Sequence, residues 1–105
     1  MNLIIALLAL VLLSDNTRLM PDQQKLYSAD IKQGSVNLRV KGVSGDLDCY
    51  LLAHGPRGWI IVASDEKAGS KCDLSYYSEQ PRTLRIWLAN HSDQPMSYSM
   101  TLTQE

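Results

Sequence analysis

The strongest constraint on this chain is a two-residue hydrophobic period that recurs, is cut by turn-forming residues, and recurs again. Val36, Leu38 and Val40 alternate with Asn37, Arg39 and Lys41. Leu47, Cys49, Leu51 and Ala53 alternate with Asp48, Tyr50 and Leu52, and Leu84, Ile86 and Leu88 alternate with Arg85, Trp87 and Ala89. Tyr98, Met100 and Leu102 alternate with Ser97, Ser99, Thr101 and Thr103. Successive side chains of an extended chain point to opposite faces, so each run reads as a strand with one dry face. Weaker runs lie near Leu26 to Ile31 and Lys71 to Tyr77. Trp59 to Ala63 is apolar throughout and reads as a central strand covered on both faces.

The breakers between these runs are Gly34-Ser35, Gly42 through Gly45, Gly55-Pro56-Arg57-Gly58, Lys67-Ala68-Gly69-Ser70, Gln80-Pro81 and Asp93-Gln94-Pro95. In Gly55-Pro56-Arg57-Gly58, Pro56 presets φ for the second turn position and Gly58 suits the fourth, which is a hairpin signal. Strands about every dozen residues, with no helical stretch after Gln24, predict an antiparallel sandwich whose two sheets bury the alternating residues against each other.

The N-terminus differs. Leu3 to Leu13 is an unbroken apolar run, shorter than the roughly 20 residues that a membrane span needs. It has the size of the hydrophobic part of a signal peptide and begins just after Met1, although no Lys or Arg precedes it. The reading is a signal peptide or short membrane anchor over residues 1–14, a linker over 15–23, and one β domain over 24–105. The competing reading is a buried first helix, which a short apolar run does not distinguish by period alone. The 105 residues carry 10 Lys plus Arg against 11 Asp plus Glu, a net charge of −1, so there is no basic footprint for nucleic acid. Two cysteines are too few for a four-thiolate zinc site.

Gly45-Asp46-Leu47-Asp48-Cys49-Tyr50-Leu51 resembles the Gly-Asp-x-Asp-Leu-Tyr signature of bacterial pre-peptidase C-terminal domains. The context agrees: a strand and a Gly-containing turn precede it. A Pro-x-Gly hairpin, an apolar strand ending Ala63-Ser64-Asp65 and a last strand Tyr98-x-Met100-x-Leu102 follow. The resemblance spans roughly residues 27–103. It implies an all-β, jelly-roll-like sandwich of about seven to eight strands, secreted or periplasmic, of the kind appended to exported bacterial proteases. It also implies a role in targeting, substrate binding or export, with calcium bound in some relatives. The sequence departs from the family in three ways: no protease domain accompanies it, Pro81-Arg82-Thr83-Leu84 replaces the usual Gly-x-Tyr, and Cys49 occupies a core leucine position.

Cys49 shares a strand face with Leu47 and Leu51, and Cys72 shares one with Leu74. If both faces point inward the thiols meet, and in an oxidising compartment they form a structural disulfide contributing about 3 kcal/mol. The alternative is two separate buried thiols. With no Cys-x-x-Cys, a redox role has no foothold.

Asp46, Asp48 and Asp65, with Glu66 and Asp73 nearby, form a candidate calcium set, since loop carboxylates at strand ends supply the oxygens calcium needs. The competing reading makes Asp46 a turn cap and Asp48 a strand anchor. Catalysis finds little support. Gly42-Val43-Ser44-Gly45 is not a nucleophile elbow, His54 and His91 belong to no His-Glu-x-x-His motif, and Asp46 and Asp48 lack a cleft to straddle. Asn90-His91-Ser92 is formally a glycosylation sequon, which matters only in a eukaryotic secretory pathway.

If Leu84, Ile86 and Leu88 point inward, Arg85 and Trp87 point outward, and Tyr50, Tyr76 and Tyr77 are the other candidates for partial exposure. The competing reading covers Trp87 with a loop or the N-terminal segment and leaves Arg85 solvated. Trp, Tyr and Arg together make the composition of an interaction hot spot. The expectation is a non-catalytic exported binding module with no required cofactor. Its ligand is an extracellular or envelope protein or polysaccharide, and contact with the membrane runs only through the N-terminal segment. The second expectation is a structural or chaperone-like accessory to a secreted peptidase or other exported enzyme.

Overall fold

The structure is a computed structural model that describes residues 10–105. Its eight strands are β1 (Leu10–Leu19), β2 (Gln24–Ile31), β3 (Gly34–Gly42), β4 (Leu47–Gly55), β5 (Gly58–Asp65), β6 (Lys71–Ser78), β7 (Arg82–Asn90) and β8 (Met96–Gln104). They form two four-stranded antiparallel sheets, ordered β1-β8-β3-β6 and β2-β7-β4-β5. Each sheet draws strands from both halves of the chain, and this interleaved order is that of a jelly roll.

The two-residue period does what it promised. Val36, Leu38 and Val40 of β3 and Tyr98, Met100 and Leu102 of β8 point inward from one sheet. Leu47, Cys49, Leu51 and Ala53 of β4 and Leu84, Ile86 and Leu88 of β7 meet them from the other. All are essentially shut off from water. Burying a Leu or Ile this completely contributes about 1.5–3 kcal/mol each, so these four strands carry most of the hydrophobic stabilisation. Cys49 on β4 and Cys72 on β6 close a disulfide with their Cα atoms 6.3 Å apart. It joins a central strand of one sheet to the edge strand of the other.

Two expectations need correction. Residues 15–23, read as a linker, are not one. Asp15 to Leu19 continue β1, which pairs with β8, and Met20 to Gln23 turn into β2. The period is present there at Leu13, Asp15, Thr17 and Leu19, which lie opposite the inward-facing Leu102, Met100, Tyr98 and Met96. Asp15 disguised it, because an acid seldom occupies an inward position without a partner. Here it accepts hydrogen bonds from Tyr27 Oη at 2.6 Å and Lys25 Nζ at 3.2 Å. Residues 10–14, the end of the segment read as a signal peptide or anchor, are likewise part of the sandwich: they open β1 and pair with β8. Residues 1–9, the rest of that segment, lie outside the described residues.

The second correction concerns Trp59 to Ala63, which belong to β5. It is an edge strand rather than a central one, and Ile60 and Ile61 are each more than half exposed. An unbroken apolar run signals that both faces seek cover, and not that the fold itself supplies it.

At the end of the sandwich where β1–β2 and β7–β8 meet, Asn90 is buried. Its Nδ2 donates to the carbonyls of Leu19, Met20 and Gln94, while its Oδ1 accepts from Ser92 N. The formal sequon is therefore a structural clamp. Gly42 and Gly45 flank the same region. A Cβ on Gly45 would lie 2.8 Å from both Met96 Cε and Ser92 Oγ, at a φ of 110° that disfavours any side chain.

Candidate functional site

Because Leu84, Ile86 and Leu88 fill the core, Arg85 and Trp87 emerge on the outer face of the β2-β7-β4-β5 sheet. The strand registers then place their neighbours. Leu26, Trp87, Tyr50 and Ser64 form one row across all four strands. Ser28, Arg85, Leu52 and Ile61 form the next, and His54 lies opposite Trp59 in the β4–β5 hairpin.

These side chains pack on one another. The rings of Tyr50 and Trp87 are 4.8 Å apart and tilted by 32°. Trp87 Nε1 donates to Gln24 Oε1 at 3.2 Å. The Arg85 guanidinium lies 4.0 Å above the Trp59 ring, and His54 meets that ring edge-on at 5.3 Å. Leu26 and Ile61 are more than half exposed at the two sides of this patch. The face is thus a cross-braced aromatic and apolar strip.

The structure brings Tyr50, Arg85 and Trp87 onto one surface. It adds Trp59, His54, Leu52 and Leu26, which the sequence reading did not assign to that surface. Trp59 was within reach: a two-residue turn between Gly55 and Gly58 forces His54 and Trp59 to be cross-strand partners. Leu26 was not, since its row depends on the long-range pairing of β2 with β7.

Asp48 lies at the rim of the face. Its Oδ2 is 3.1 Å from His91 Nε2 and 3.5 Å from Tyr50 Oη. Desolvation, and then the negative charges of Asp48 and Glu66, raise the Tyr50 pKa above its ordinary value, so the phenol stays neutral. The Asp48–His91 pair was not foreseen, because the pairing of β4 with β7 is what brings the two residues together. Ser92 directs its hydroxyl to Gln94 O and Asn90 Oδ1 rather than to His91.

The candidate calcium set is not assembled. Among the described residues no three His, Cys, Asp or Glu side chains are grouped to hold a metal. Asp65 Oδ1 accepts the Lys67 N–H as a turn cap, Asp48 is engaged with His91, and Asp46 Oδ1 is enclosed without a hydrogen-bond partner.

The outer face of the other sheet is chemically opposite. A shallow groove of about 910 Å³ there is lined by Asn37, Arg39, Lys41, Ser75, Thr101 and the exposed Tyr77, among others. Of the tyrosines considered for exposure, Tyr77 thus lies on this face and not beside Trp87, and Tyr76, opposite the inward Val36, packs against the core. Hydroxyls, amides and the Arg39–Asp73 ion pair, both partners well exposed, make it an ordinary solvated surface.

Two solved structures share this architecture. One is the pre-peptidase C-terminal domain of collagenase from Bacillus anthracis, with a TM-score of 0.66 and 8% identity over 88% of this chain and 89% of that one. The other is PirA, with a TM-score of 0.57 and 13% identity over 88% of this chain and 93% of that one. The chain therefore has the fold of a pre-peptidase C-terminal domain, as the resemblance implied, with no sequence kinship visible at these identities. No family profile matches the chain, and no curated protein does.

Proposed function

We propose that this chain is a non-catalytic, exported binding module that engages a protein partner through the outer face of the β2-β7-β4-β5 sheet. The observation that carries this reading is the aromatic strip itself. Trp, Tyr and Arg residues that brace one another while keeping part of their surface open are pre-organised, so little rotamer entropy remains to be lost on docking. The packing also favours protein over polysaccharide. A sugar-stacking platform needs a free ring face, whereas Trp87 stacks with Tyr50 and Trp59 lies beneath Arg85.

Export is supported by the disulfide, which persists in oxidising compartments. The fold's occurrence within a collagenase supports an accessory role beside another exported protein. Photo-crosslinking tests the reading directly. A photoreactive side chain at position 87 should capture one protein in stoichiometric yield from the exported fraction of the producing cell. The same group at position 101, on the opposite face, should not. Equal yields from both positions, or none from position 87, contradict it.

A further inference from the structure

Two four-stranded sheets present four edge strands: β1 and β6 in one, β2 and β5 in the other. Unpaired edge N–H and C=O groups invite another strand, and exposed edges are ordinarily guarded by charge. Charges lie within β1 at Asp15 and Arg18, within β2 at Lys25 and Asp30, and within β6 at Lys71 and Asp73. The uncharged start of β1, Leu10 to Ser14, directly follows residues outside the described ones. β5 carries a charge only at its last residue, Asp65, and a bulge at Val62; from Gly58 to Ser64 it reads Gly-Trp-Ile-Ile-Val-Ala-Ser. Ile60 and Ile61 are 54% and 53% exposed. They belong to opposite faces, since Ile60 pairs with the buried Ala53 and Ile61 with the outward Leu52. A partner resting on one sheet face would cover only one of them, whereas an added strand covers both and satisfies the edge.

We propose that β5 pairs antiparallel with β5 of a second copy of this chain, making one continuous eight-stranded sheet. Charge selects this occupant and this direction. Arg57 precedes β5, while Asp65 and Glu66 stand at its end. Antiparallel pairing sets start against end and brings opposite charges together at both ends of the contact. Parallel pairing would set like against like.

Side-chain direction selects the register. The pairing with β4 makes Trp59 and Ser64 outward-facing and Ile60 and Ala63 inward-facing. Placing Trp59 opposite Ser64 and Ile60 opposite Ala63 of the second copy matches faces in those pairs, and it sets Arg57 opposite Glu66. The two-fold axis then falls between Ile61 and Val62, where the bulge opposite Leu51 and Leu52 interrupts the alternation. Every contact is made twice, as in any isologous dimer. The inference rests on β5 alone and holds whatever protein docks on the neighbouring face.

Sedimentation velocity of the purified, oxidised chain over a wide concentration range tests it. The expected result is a reversible dimer. Ile61→Lys and Arg57→Glu should each weaken it at least about tenfold, with unchanged circular dichroism. The double variant Arg57→Glu/Glu66→Arg should recover most of that loss, a result that mere misfolding would not produce. A single-chain mass at every concentration overturns the proposal. So does a dimer indifferent to both single variants, or a charge swap that restores nothing. If β5 amides become protected from exchange only when a different protein is added, the edge recruits a foreign strand and self-pairing is rejected.

Discussion

Asn90 shows how one residue holds an end of this sandwich together. Its side-chain amide donates to three carbonyls on two separate turns, and it is nearly inaccessible to water. Asn90→Ala strands those carbonyls in a dry site, and the expected cost is about 2–3 kcal/mol in a urea unfolding series. A loss below about 0.5 kcal/mol would mean that water reaches the carbonyls and that the clamp is not one. The tyrosines define a pH window in the same way. Burial raises the pKa of Tyr27, Tyr50 and Tyr98 above 10.0, with Asp15 and Tyr98 adding to the effect at Tyr27 and Asp48 and Glu66 at Tyr50. The folded state therefore favours the neutral phenols. Their stabilisation is complete below about pH 10 and is lost as pH rises through the folded values. Asp15 works in the opposite direction. Hydrogen bonds from Tyr27 and Lys25 lower its pKa below 3.8, so its contribution is present above that value and fades as pH falls through the lowered one. Phenolate absorbance should accordingly show Tyr27, Tyr50 and Tyr98 lagging behind free tyrosine, with unfolding and their ionisation coming together. Ionisation of these three at the free value would contradict the hydrogen bond between the Tyr27 and Tyr98 hydroxyls.

At the scale of elements, the disulfide ties the two sheets together beyond the turns of the chain itself, and it was readable from face alternation at Cys49 and Cys72. In a domain of this size it should contribute about 3 kcal/mol. Reduction, or the Cys49→Ala/Cys72→Ala variant, should lower the thermal midpoint by roughly 10–20 °C while leaving the β-sheet circular dichroism in place at room temperature. An unchanged midpoint would show that the sheets hold together by packing alone. The same alternation made β3, β4, β7 and β8 legible, because Val, Leu and Ile at every second position admit few other readings, while weaker runs marked β2 and β6 and an unbroken apolar run marked β5. β1 escaped because Asp15 stands where an apolar residue was expected, and its partners Tyr27 and Lys25 arrive only once β2 has folded beside it. β5 was found but misplaced. Periodicity reports which faces are apolar, while strand order, decided by long-range pairing, settles which of them are covered.

At the scale of the molecule, the two sheets present outer faces of opposite character, one hydroxylated and charged, the other aromatic. Tyr50, Arg85 and Trp87 could be assigned to a surface from the sequence, since each alternates with residues that had to be buried. Their assembly into a strip with Trp59 and Leu26 could not, because three strand registers had to be known at once. The acidic residues are scattered for a related reason: Asp46, Asp48 and Asp65 are near in sequence or turn, yet Asp48 and Asp65 are each engaged locally and Asp46 Oδ1 is enclosed without a hydrogen-bond partner. The account stands on the claim that the aromatic face does the binding, and affinity for the partner captured at position 87 measures it most directly. Titration calorimetry with that purified protein should show Trp87→Ala and Tyr50→Ala each weakening binding at least about tenfold, with Thr101→Ala and Asn37→Ala near wild type. If the last two weaken binding and the first two do not, the functional surface lies on the opposite sheet.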